Sequence, residues 1–165
     1  MAPGPAISNE PAPEVTRRLI PRLWQGWLVV ALAGTIACSV LPLLAPGTAR
    51  RLLSALVFGQ AAQADALPAA AVQYITFING AVGAAMVGWA AALLFIAAGP
   101  FGRGERWAWQ AVTASLLAWF VPGTLFSLWL GVMLNVAINV AFIAVFAVPL
   151  LAARRHFHAV DAYLS

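Results

Sequence analysis

Ser39, Asn79, Thr124, Asn135 and Asn139 are polar side chains set within long apolar runs of this chain. Asn135 and Asn139 are four residues apart, so on a helix they share one face. An amide surrounded by hydrocarbon needs a hydrogen-bond partner. Asn79, Asn135 and Asn139 are therefore expected to point inward. Two roles fit them. One is interhelical hydrogen bonding, worth about 0.6–2 kcal/mol per contact. The other is a small pocket that opens toward the outer leaflet and binds a polar headgroup or a small molecule.

Other chemistry is hard to assemble from the residues present. No Asp, Glu, Lys, Arg or His falls within the long apolar runs. Ion-coupled transport generally uses such groups inside the membrane, and small multidrug exporters need an embedded glutamate. Membrane haem needs buried axial ligands. His156 and His158 lie outside the apolar runs, two residues apart, so on a helix they point different ways. Ser39, Ser115 and Ser127 have no base expected at their depth. Gly102-Arg103-Gly104 is too short to cradle a phosphate. Cys38 is the single cysteine, which rules out an intramolecular disulfide. The expectation is a non-enzymatic protein with no metal and no cofactor.

Composition sets the class. The chain is 63% hydrophobic and only 8% charged, whereas a soluble domain carries about 25% charged residues. Mean hydropathy is +0.90. This predicts an all-α integral membrane protein, a four-helix bundle with a short interfacial helix between its first and second spans. Residues 1–22 read as a disordered cytoplasmic tail rich in proline and small polar residues. Residues 23–153 form the transmembrane domain, with spans at about 23–45, 72–99, 107–126 and 132–152. Residues 154–165 form a second cytoplasmic tail. The 47 residues from Trp107 to Ala153 carry no charge. As one helix they would reach about 70 Å, so they must fold as a hairpin. The turn is expected near Phe126–Gly131, with Pro122-Gly123 as a kink at the outer end of the third span or, alternatively, as the turn itself.

Residues 48–60 are too short to span. They place Ala49, Leu52, Leu53, Leu56 and Val57 on one face, with Arg50, Arg51 and Ser54 elsewhere. This segment reads as a surface helix, with a lid as the functional alternative. An exported precursor is the other reading of the N-terminal region. Arg17-Arg18 before an apolar run resembles a twin-arginine signal, and Thr35-Ile36-Ala37-Cys38 resembles a lipoprotein cleavage site. The run continues past Cys38 to Leu44, longer than a signal h-region.

Every basic residue is an arginine. With the N-terminus inside, seven (Arg17, Arg18, Arg22, Arg103, Arg106, Arg154, Arg155) fall on cytoplasmic segments and two (Arg50, Arg51) outside. Both termini are therefore expected in the cytoplasm. Membrane orientation, not nucleic acid, explains the positive charge. Arginine-only, alanine-rich usage points to the plasma membrane of a bacterium. In this topology Asn79 and Asn139 each lie roughly 10 Å below the outer start of their span. Ser39 and Thr124 lie at comparable depth.

The span from Val72 to Gly99 carries Thr76, Gly80, Ala84 and Gly88 at steps of four. Small residues so spaced are expected to form a ridge against which another helix packs. The stretches FINGAVGAAMVGW, GERWAWQAVTASLLAWF and NVAINVAFIAVFAVPLL resemble small four-span bacterial membrane proteins, similar in layout to the DoxX-like group. The resemblance implies a four-helix bundle and assigns no residue a role. The expected partners are the lipid bilayer and either a second copy of the chain or another membrane protein. The first functional expectation is an accessory subunit or homo-oligomeric membrane component. The alternative is a carrier or binder of a small or lipid-like molecule at the asparagine region.

Overall fold

The computed structural model describes the backbone of residues 14–158 and the side chains of residues 22–154. Five α-helices follow in order: α1 (Glu14–Leu44), α2 (Pro46–Phe58), α3 (Ala69–Ile96), α4 (Arg106–Trp129) and α5 (Met133–His158). Four helical segments are long and apolar enough to cross a membrane: Arg22–Leu44, Ala69–Phe101, Arg106–Trp129 and Met133–Arg154. The chain is thus an all-α, multi-pass membrane protein built as a four-helix bundle. Helix ends differ from expectation where charge was taken as a boundary. Residues 14–22 continue α1 instead of forming a tail, and residues 154–158 continue α5. Arginines mark the edge of the hydrocarbon, but a helix can extend into the headgroup region. The expected disorder of residues 1–13 lies outside the described residues, as do the side chains of Arg17, Arg18, Arg155, His156 and His158.

Neighbours in the bundle run antiparallel, in the ring order α1, α3, α4, α5. The most extensive contact is between α1 and α3. Along α1 the buried or half-buried positions include Leu28, Leu32, Thr35, Ser39 and Pro42; along α3 they include Gly80, Gly83, Val87, Ala90, Leu94 and Ala97, beside the more deeply buried Leu93. Both sets advance by alternating three and four, the spacing of a left-handed antiparallel pair. The ridge expected at steps of four is only half used. Gly80 lies near Leu43, but Ala84 and Gly88 are exposed, and nothing lies within 4 Å of where a Gly88 Cβ would be. A row at steps of four winds off the contact face as the helix advances. The seam therefore passes through Gly83. A Cβ there would sit 2.7 Å from the Ser39 carbonyl oxygen.

The ends of the helices are closed by specific hydrogen bonds. The α4–α5 turn is Leu130–Val132, with Gly131 at φ +73°. Val132 N–H donates to Ser127 O at 2.9 Å and Gly131 N–H to Leu128 O at 3.1 Å, the pairing of a Schellman cap. Pro122 lies inside α4 and does not end it. The last turn of α3 widens into a π-helical turn, Ala97–Phe101. There Gln25 of α1 donates through Nε2 to Ala97 O at 3.1 Å and Ala98 O at 2.8 Å. Gly102 makes room, because a Cβ would collide with the Gln25 amide. In the loop to α4, Glu105 accepts from Arg103 Nε at 2.5 Å and from Trp107 Nε1 at 2.6 Å. The Arg103 hydrogen bond, then the Trp107 one, holds this carboxyl below the usual glutamate range.

The apolar core occupies one half of the bundle, the half holding the start of α1 and the end of α5. Leu28, Leu32, Leu93, Phe101, Val112, Leu116, Phe146 and Leu150 meet there. An aromatic run leads from it toward the middle: Phe146 to Phe142 (4.9 Å), Phe142 to Trp119 (4.8 Å) and Trp119 to Trp89 (6.4 Å). Trp89 Nε1 donates to Ser115 Oγ at 2.6 Å.

A pocket beneath the short helix

The opposite half is packed differently, and four of its five notable polar residues are described by their partners. Asn135 Nδ2 donates to Ser127 Oγ at 2.7 Å, and Ser127 Oγ donates to Gly123 O at 2.8 Å. Asn139, 5% exposed, donates through Nδ2 to Thr124 Oγ1 at 3.3 Å. These bonds join α4 to α5. Ser39 Oγ donates back along α1 to Thr35 O at 2.7 Å, a common way for a hydroxyl to be satisfied inside a helix. Asn79 differs: its half-buried side chain makes no hydrogen bond among the described residues.

The five residues therefore form two groups on different sides of the bundle. Asn135, Asn139, Thr124 and the unforeseen Ser127 stitch the α4–α5 hairpin. Ser39 and Asn79 line a pocket between α1, α3 and α5, beneath α2. Equal depth brought all five together in the sequence reading; depth does not fix the angular position on a helix.

The pocket has a volume of about 560 Å³, within the range of about 300–1,000 Å³ typical of small-molecule sites. Leu52, Leu53 and Leu56 of α2 roof it, with buried Ala49 beside them. That is the apolar face foreseen for residues 48–60, without Val57. The floor and walls are Cys38, Ser39, Leu41, Pro42, Gly83, Met86, Leu134 and Ile138. Val82, Leu134 and Ile138 are about half exposed at its rim, so an apolar edge leads outward. None of the lining side chains is charged.

Local sequence explains the roof. Pro46 sits in the first turn of α2, where its missing N–H costs nothing. Gly59 at φ +73° ends the helix, with its N–H donating to Ala55 O at 2.9 Å. Ser54, buried, donates to Gln60 O at 2.8 Å. Arg51 grips Asp65 side-on, through Nε at 3.2 Å and Nη2 at 2.9 Å, tying α2 to the 3-10 segment Ala61–Ala66. Arg50 Nε is buried without a hydrogen-bond partner among the described residues.

The sequence reading passed over Pro42. A proline has no N–H to give to the carbonyl four residues before it. Cys38 O therefore lacks its helix donor in the pocket wall. Among the described residues no three His, Cys, Asp or Glu side chains converge as metal ligands would. Comparison with protein-family models, curated proteins and solved structures finds no match for this chain.

Proposed function

We propose that this chain is a non-catalytic membrane protein that binds a lipid-like amphiphile in the pocket beneath α2. We place it in a bacterial plasma membrane, with both termini in the cytoplasm and the pocket in the outer leaflet. One observation carries the reading. Asn135 and Asn139 have partners, while Asn79 faces an uncharged apolar pocket with its amide unpaired. An unmet amide in hydrocarbon is costly, and a guest that hydrogen-bonds to it removes that cost. The apolar rim supplies a route in from the lipid.

A second reading has its own observation. Ala84 and Gly88 leave a shallow strip between exposed Phe77 and Phe95 on α3, where a second copy or a larger partner subunit would fit closely. Native mass spectrometry from lipid nanodiscs separates the two. The amphiphile reading expects a monomer with a defined small mass, retained in Gly88→Leu and lost in Asn79→Leu. A dimer or fixed-ratio complex without a small mass, dissociated by Gly88→Leu, supports the subunit reading instead.

A further inference from the structure

The donors and acceptors of the pocket wall are unevenly matched, and the imbalance selects among amphiphiles. Cys38 O is an acceptor without its helix donor, because Pro42 stands four residues later. Ser39 Oγ has spent its proton on Thr35 O and keeps acceptor capacity. Asn79 supplies one more acceptor, Oδ1, and the one strong side-chain donor of the lining without a partner, Nδ2, beside the weak S–H donor of Cys38. Three acceptors and one NH₂ group therefore belong to residues that line an otherwise apolar space. An anion brings only acceptors and would enter a wall that has no cation to meet it. An ester or quinone carbonyl also brings only acceptors. A hydroxyl both donates and accepts.

From this inventory, and resting on the amphiphile reading above, we infer that the guest is an uncharged lipid with a free hydroxyl group. Its O–H donates to the Cys38 carbonyl, and its oxygen accepts from Asn79 Nδ2. Its hydrocarbon lies against Leu52, Leu53, Met86 and Ile138. Diacylglycerols and isoprenoid alcohols share this chemistry.

The test uses the full chain in nanodiscs and measures retention of added lipid by native mass spectrometry. The probes are dioleoylglycerol, its 3-acetyl ester, dioleoyl phosphatidic acid, geranylgeraniol and geranylgeranyl methyl ether. At least one alcohol is expected to bind about tenfold more tightly than its blocked counterpart, the scale of one buried hydrogen bond. Which alcohol does so identifies the source. Pro42→Ala restores the N–H that Cys38 O lacks, so it favours the folded helix. It is expected to weaken alcohol binding severalfold more than it weakens binding of the blocked lipids. Equal binding of alcohol and blocked lipid, tighter binding of phosphatidic acid, or indifference to Pro42→Ala overturns the hydroxyl inference while leaving a lipid pocket in place. Retention of no lipid at all, added or native, overturns the pocket reading itself.

Discussion

Pro149 lies inside α5 and takes away the N–H that Val145 O would accept. Trp27 of α1 fills the gap: its indole Nε1 donates to Val145 O at 3.0 Å. A break in one helix thus becomes a hydrogen bond between two. Trp109 makes a similar link from α4, donating to Leu150 O at 2.9 Å. An apolar groove runs beside the Trp27 link, lined by Leu23, Gly26 and Val30. Trp27→Phe keeps most of the apolar contact and leaves the carbonyl unmet, at an expected cost of about 1–3 kcal/mol. In a Pro149→Ala background the helix supplies its own donor, and the same substitution should cost much less. Reversible unfolding of the four proteins in detergent gives the coupling directly. Equal losses in both backgrounds would show that the tryptophan acts by bulk alone.

Helix pairing shows where the sequence was readable and where it was not. Four spans, the hairpin from Trp107 onward and the apolar face of residues 49–56 were legible because hydropathy and length determine them. The face of α3 that meets α1 was not. Thr76, Gly80, Ala84 and Gly88 make as good a small-residue row on paper as the row through Gly83, Ala90 and Ala97. Choosing between them needs the partner helix, whose Ser39 and Pro42 press on Gly83. The same gap hid the split of the asparagines into a stitched pair and an unpaired one. The difference is measurable. Gly83→Ala drives a Cβ against backbone that cannot swing aside, and an overpacking cost of about 1–3 kcal/mol is expected. Gly88→Ala meets open space and removes a flexible residue from a helix, for a gain of about 0.5–1 kcal/mol. Melting temperatures in one detergent should move in opposite directions. A larger loss at Gly88 would mean that α3 packs through the four-step row after all.

Across the bundle, the two halves have different physical characters. The half with the start of α1 and the end of α5 is closed by Leu28, Val112, Leu116 and Phe146, all nearly inaccessible. The other half holds the polar stitches, the pocket and a roof fastened at its surface by Arg51 and Asp65. Which leaflet supplies the pocket depends on whether the roofed half faces away from the cytoplasm, the orientation proposed from the arginine count. Basic segments resist translocation, while acidic residues such as Asp65 and Glu105 count for little, so the bidentate pair at Arg51 does not weaken the vote. Single cysteines introduced into a Cys38→Ser background put it to the test. Gln63→Cys sits in the exposed 3-10 segment beside α2, and Arg103→Cys in the exposed loop before α4. A membrane-impermeant maleimide added to intact cells is expected to label the first and to reach the second only after lysis. The reverse pattern would put the pocket in the cytoplasmic leaflet. Its lipid would then be drawn from the inner monolayer, and the same uncharged wall would face a different supply of hydroxylated guests.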